Sequence, residues 1–116
     1  MSRKLSHLAR NFAVGINKYI AMTPLEKYIW VVNALYNKGE HGLSLKELND
    51  KWVHDESISN GEPLSRQTFD RWKGNILMTL GVSIECRLKG GYRYYISNPE
   101  SLSEGGLVRW LLDTYS

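Results

Sequence analysis

Gln67 and Arg71 stand four residues apart in the stretch SRQTFDRWKGNILMTLG, residues 65–81. Both side-chain types carry paired hydrogen-bonding groups that match a base edge bidentately. A spacing of four puts them on one face of a helix, with Gly74 and Met78 continuing that face and Asp70 and Asn75 flanking it. A glycine at the exposed centre lets the backbone come close to whatever the face meets. The chemistry on offer is therefore non-covalent recognition of a flat polar surface, for which a DNA major groove is the obvious candidate. A helix entering the groove by its first half selects Arg66, Gln67, Thr68, Asp70 and Arg71. Gln67 and Arg71 are the base-reading choices, while Ser65, Thr68 and Lys73 are better placed for phosphates or caps. Lys73 also lies near the apolar edge, where it can snorkel beside Trp72. A solvated surface helix is the alternative for the whole face.

The elements that position this face are legible around it. Ser65 offers a hydroxyl to the first-turn amides and Gly81 a left-handed terminus, so the spacing predicts a helix over 66–80. Phe69, Trp72, Ile76 and Leu80, with Leu77 alongside, form its apolar back. Upstream, Thr23-Pro24-Leu25-Glu26 reads as a capping box with Pro at N1, opening a helix over 23–38 that Gly39 ends. Its buried stripe is Leu25, Ile29, Val32, Leu35 and Tyr36. A second capping box, Ser44-Leu45-Lys46-Glu47, opens a helix to about Asp55, with Leu45, Leu48 and Trp52 inward. The Ser-, Asn-, Gly- and Pro-rich residues 56–64 read as a loop into the Ser65 helix.

After Gly81 the hydrophobic period becomes two. Residues 82–88 and 92–96 read as strands joined across Lys89-Gly90-Gly91, with Ile84, Cys86 and Leu88 on the buried face. Asn98-Pro99 stops the second strand. Three helices followed by a hairpin give a mainly α fold with a small β-hairpin: a winged helix-turn-helix over 23–100, its three-helix core followed by a wing over 82–96. Arg87, Lys89 and Arg93 make that wing basic, suited to a DNA backbone or minor groove; the competing reading is a hairpin kept soluble by its cations. Tyr92, Tyr94 and Tyr95 could stack on bases, but alternation puts Tyr92 and Tyr94 on one face, where packing against Trp52 or Trp72 is expected. Cys86 reads as a small buried hydrophobe.

Composition excludes several classes. Of 116 residues, 42% are hydrophobic and 23% charged, as in ordinary globular domains. No apolar run reaches membrane-span length, and a cytoplasmic location is expected. A single cysteine forbids an internal disulfide, and His7, His41 and His54 lie too far apart for a metal motif. No catalytic set is legible, so neither an enzyme nor a cofactor is expected. The net charge of +3 is mild, but it is segregated. Residues 65–93 hold Arg66, Arg71, Lys73, Arg87, Lys89 and Arg93 against Asp70 and Glu85, whereas residues 40–62 are acidic overall. Positive charge thus gathers on the Ser65 helix and the hairpin, as in a nucleic-acid footprint.

The strings Glu47-Leu48-Asn49-Asp50-Lys51-Trp52, Leu64-Ser65-Arg66-Gln67-Thr68-Phe69, Ile84-Glu85-Cys86 and the run 91–100 (GYRYYISNPE) together resemble the N-terminal region of bacterial WYL-domain transcriptional regulators, particularly of the Bacteroidetes type. The resemblance covers about residues 25–116. It implies a winged helix that binds double-stranded DNA, followed in full-length members by an effector-sensing WYL domain; the chain stops where that domain would begin. A winged helix can instead serve as a protein-interaction or dimerisation module without touching DNA. The weak net charge and Asp70 favour that second reading slightly, and the basic helix, the hairpin and the resemblance favour DNA more.

Two flanks complete the organisation. Residues 1–22 form a basic, acid-poor stretch with helical spacing, longer than the start of the resembled region. It reads as an arm, a targeting segment or an upstream extension of a start at Met22. Residues 101–116 read as a C-terminal helix after Gly105-Gly106, apolar at Leu107, Val108, Trp110, Leu111, Leu112 and Tyr115. That surface must be buried, against the domain's own core, in a homodimer, or against a following domain.

Overall fold

A computed structural model describes residues 23–102 together with Arg109, Asp113 and Thr114. The expectations for residues 1–22 and for most of the C-terminal helix fall outside the described residues. Helix α1 spans Pro24–Tyr36. The Thr23 hydroxyl accepts from the Glu26 amide at 3.3 Å and donates to the Glu26 carboxylate at 2.9 Å, so Thr23 caps the helix as expected, with Glu26 engaging its hydroxyl. Tyr28, Ile29, Val31, Val32 and Leu35 are buried, whereas Leu25 is half-buried and packs against the core. Tyr36 is a correction: it is exposed, and its ring lies 5.3 Å beneath the Arg109 guanidinium. The helix also stops short of Lys38, because Gly39 opens a 3-10 turn, Gly39–His41, instead of ending the helix itself.

That turn leads into a strand absent from the sequence reading, β1 at Leu43–Ser44. Gly42 makes it possible: its φ is +69°, and a Cβ there would stand 2.2 Å from the Tyr94 carbonyl oxygen. Only a glycine lets the two backbones come that close. Ser44 then caps α2, Leu45–His54, through a reciprocal box in which each of Ser44 and Glu47 accepts the other's amide proton. Leu48 and Trp52 are buried and Leu45 is half-buried. Residues 56–64 hold a one-turn helix, α3 at Glu56–Ser59, rather than only a loop, and Ile58 and Ser59 are buried in it. Left-handed Asn60 ends that turn.

Helix α4 spans Arg66–Leu80 between Ser65 and left-handed Gly81, as the sequence predicts. Strands β2 (Ile84–Arg87) and β3 (Arg93–Ile96) pair antiparallel, and β1 pairs on the other side of β3, giving the order β1-β3-β2. The protein is thus mainly helical with a small three-stranded antiparallel sheet rather than a hairpin alone. In the register Cys86 faces Tyr94 and Arg87 faces Arg93. Ile84 and Cys86 pack against the core, but Leu88 is 68% exposed, because the ladder ends at Arg87 and alternation has no meaning beyond it. The Asn98 side chain accepts from the Ser83 amide at 2.8 Å and donates to the Gly81 carbonyl at 2.9 Å, closing the sheet onto the end of α4. Pro99–Leu102 form a final 3-10 turn that buries Leu102.

The helices meet on an aromatic chain. Trp30 contacts Trp52 at 5.0 Å between ring centroids, Trp52 contacts Trp72 at 5.4 Å, and Trp72 contacts Tyr28 at 6.1 Å, all edge to face. Each such pair contributes about 0.5–1.5 kcal/mol beyond simple burial, so the chain fixes how α1, α2 and α4 cross. Phe69, fully buried, packs edge to face on Tyr94 at 4.8 Å and joins α4 to the sheet. Among the described residues, no helix is long and apolar enough to cross a membrane.

Candidate nucleic-acid interface

Helix α4 is held by everything behind it. The Leu64 amide donates to Asn49 Oδ1 at 2.7 Å, fixing how the chain leaves α2 and enters α4. The Ser65 hydroxyl accepts from the Thr68 amide at 3.1 Å and donates to Thr68 Oγ1 at 2.9 Å. Both hydroxyls therefore serve the cap, the second of the two roles open to them in the sequence. Phe69, Trp72, Ile76 and Leu80 are buried. The opposite face presents Arg66, Gln67, Asp70, Arg71, Gly74 and Met78, all exposed.

Leu77 departs from the expected apolar back and is 51% exposed. On a helical wheel it lies about 80° from Phe69, on the far flank from Trp72, and the core reaches only the arc between them and Leu80. With Met78 at 86% exposure it gives the C-terminal half of α4 an apolar front. Asn75 donates to the Tyr28 hydroxyl at 2.8 Å and so ties this half to α1. Among the described residues, no heavy atom lies within 4 Å of where a Cβ on Gly74 would stand. Among the described residues nothing requires a glycine there, although it weakens the helix by about 1 kcal/mol relative to alanine.

Charges on α4 are paired along the helix. Asp70 lies 3.2 Å from Lys73 Nζ and 4.0 Å from Arg66 Nε. The Lys73 ammonium also sits over the rings of Tyr94 at 4.9 Å and Phe69 at 5.7 Å, so the snorkelling expected at this residue runs towards the sheet rather than beside Trp72. Arg71 and Gln67 remain on the open face.

The hairpin distributes its cations differently from the sequence reading. Arg93 donates from Nε to the His41 carbonyl at 3.0 Å and from Nη2 to the Gly42 carbonyl at 3.1 Å, and Nη2 lies 2.9 Å from Glu47 Oε1. Arg87 donates to the Glu40 carbonyl and stacks its guanidinium over Tyr95 at 5.0 Å. Two like charges directly opposite on neighbouring strands repel. Here they are reconciled by three successive carbonyls at the end of the 3-10 turn, where cations are favoured. Arg87 and Arg93 thus fasten the sheet to residues 40–47, a role invisible in the sequence because the partners lie some 50 positions upstream. Lys89 stays exposed at the tip, between Leu88 and Tyr92.

Glu47 completes the fastening. Its carboxylate is held below the ordinary glutamate range, first by the Ser44 amide and then, against partial desolvation, by the Arg93 charge. Burial pushes the Tyr94 phenol above its ordinary range, with the Cys86 thiol adding to the shift. Tyr94 packs on Phe69 rather than on a tryptophan, and Tyr92 lies 59% exposed with a φ of +52°. Cys86 is half-buried against the core, as a small hydrophobe. Among the described residues, no three His, Cys, Asp or Glu side chains gather as metal ligands. Comparison with known protein families, curated proteins and solved structures finds no match for the chain.

Proposed function

We propose that the chain is the DNA-binding part of a bacterial, cytoplasmic transcription regulator, folded as a winged helix-turn-helix. In this reading α4 enters the major groove and the tip of the hairpin lies on the backbone or in the minor groove. The observation that carries it is the open face of α4, where Gln67 and Arg71 flank a turn and Gly74 follows with no described residue against it. Close approach by an outside surface gives that glycine a purpose that no described residue supplies, and Gln and Arg are the side chains suited to base edges. The short first strand, the three longer helices α1, α2 and α4 and the basic tip are consistent with the same fold, as is the resemblance to WYL-domain regulators. With Arg87 and Arg93 engaged by the protein's own carbonyls, phosphate contact at the hairpin falls chiefly to Lys89.

The competing reading, a protein-interaction module, is favoured by Leu77 and Met78 on the same helix. Fluorescence anisotropy on labelled duplexes separates the two. DNA binding should weaken linearly with log salt, by about 0.9 log units per phosphate contact. Absence of binding to any duplex at low salt would leave the interaction module standing alone.

A further inference from the structure

A carboxylate on a surface that approaches phosphates weakens attraction to every DNA sequence alike, so Asp70 needs a reason to be there. It is half-exposed in the middle of the α4 front, next to Arg71 and one turn from Gln67. Its two oxygens face different cations, Oδ1 towards Lys73 at 3.2 Å and Oδ2 towards Arg66 at 4.0 Å. Lys73 is further held over Tyr94 and Phe69. Lys73 is thus turned onto the helix, Arg66, with 69% of its side chain exposed, lies at the outer limit of ion pairing with Asp70, and among the described residues Arg71 has no acid within ion-pair distance.

Resting on the DNA-binding reading above, we propose that Asp70 is a specificity-determining residue. Its carboxylate restrains Arg66 and Lys73 from indiscriminate phosphate contact, so that affinity depends on Gln67 and Arg71 meeting their bases. Any cation delivered to the backbone adds affinity without regard to sequence. A fixed carboxylate at the helix front subtracts from that term in every register. It is tolerated best where it meets a base amino group, such as cytosine N4, which restores a hydrogen bond in the correct register only. A carboxylate that merely steadied the helix would leave the salt dependence of DNA binding unchanged.

The test compares wild type, Asp70→Asn and Asp70→Glu by anisotropy, on a random duplex and on a duplex selected by the wild type, between 50 and 200 mM KCl. Thermal melts establish that all three are folded. Asp70→Asn should bind the random duplex more tightly, with a salt slope steeper by about 0.9 for one released cation or about 1.8 for two. Over that salt range this makes its advantage about 3-fold to 12-fold larger at 50 mM than at 200 mM. Its gain on the selected duplex should be smaller, so the ratio of the two affinities falls, and Asp70→Glu should track the wild type. An unchanged slope for Asp70→Asn, with the wild type binding, would overturn the role of Asp70. A wild type that binds neither duplex would instead remove the DNA reading, and this inference with it.

Discussion

Replacing Arg93 by methionine keeps the aliphatic stem and removes the guanidinium, and it should cost fold stability rather than DNA affinity. The side chain is 20% exposed, and its two hydrogen bonds to the His41 and Gly42 carbonyls are charge-assisted. Such bonds are measured at about 1.5–3 kcal/mol each when broken, and the lower end applies at a site still reached by water. Removing one of two facing arginines returns a few tenths to 1 kcal/mol of repulsion. The contact with Glu47, half-exposed and screened by water, is a smaller contribution than the two carbonyl bonds. The net expectation is a loss of about 2 kcal/mol, or a drop of roughly 8–16 °C in Tm for a domain of this size. Urea denaturation followed by tryptophan fluorescence reads it directly, since Trp30, Trp52 and Trp72 lie in one contact chain. Below the melting range, the salt slope of duplex binding should match that of the wild type. A stability loss under about 0.5 kcal/mol, or a slope reduced by about 0.9, would refute the reasoning and return Arg93 to the phosphate contacts.

Gly74→Ala should raise stability by about 0.8–1.0 kcal/mol, because the site is helical and open. It should also weaken duplex binding, and a stabilised variant with unchanged affinity would show that no partner approaches this backbone. Gly42→Ala combines a positive φ with a clash against the Tyr94 carbonyl, so a loss of about 3 kcal/mol or more is expected in chemical denaturation; near-wild-type stability would contradict the close approach of β1 to β3. For Glu47 the folded pKa is depressed, so its stabilising contribution is present above the unfolded value of about 4.3 and lost as pH falls through the folded one. Wild type and Glu47→Gln should therefore converge in stability as pH drops from 6 towards 3, and a gap constant across that range would exclude ionisation as its cause.

Local signals account for most of what the sequence disclosed. Ser44, Ser65 and Gly81 act within one helical turn, and α2 and α4 begin and end accordingly. The apolar spacing of Phe69, Trp72, Ile76 and Leu80 likewise marks the buried face of α4. Leu77 and Leu88 depart from their periods because a hydrophobic side chain follows its period only where a partner surface exists, and among the described residues neither has one. Strand β1 escaped for a related reason. Two residues carry no period, and what makes them a strand is a backbone some fifty positions downstream that only Gly42 can meet. The same distance hid the role of Arg87 and Arg93. A basic hairpin following a helix with a Gln/Arg face reads as a phosphate contact until the carbonyls of residues 40–42 are brought to it. On α4 the face was legible, whereas the pairing of Asp70 with both Arg66 and Lys73 depends on rotamers that spacing alone does not choose.

The most direct test of the central claim is the difference that Arg71 makes between sequences. Duplexes selected from a random pool by the wild-type chain, and an unselected control, are titrated with wild type and with Arg71→Ala at one fixed salt concentration. A base-reading arginine predicts a loss of about 1–3 kcal/mol on the selected duplex and a much smaller one on the control. Equal losses on both, or a pool from which no sequence is enriched, would contradict the assignment of α4 as the element that reads DNA.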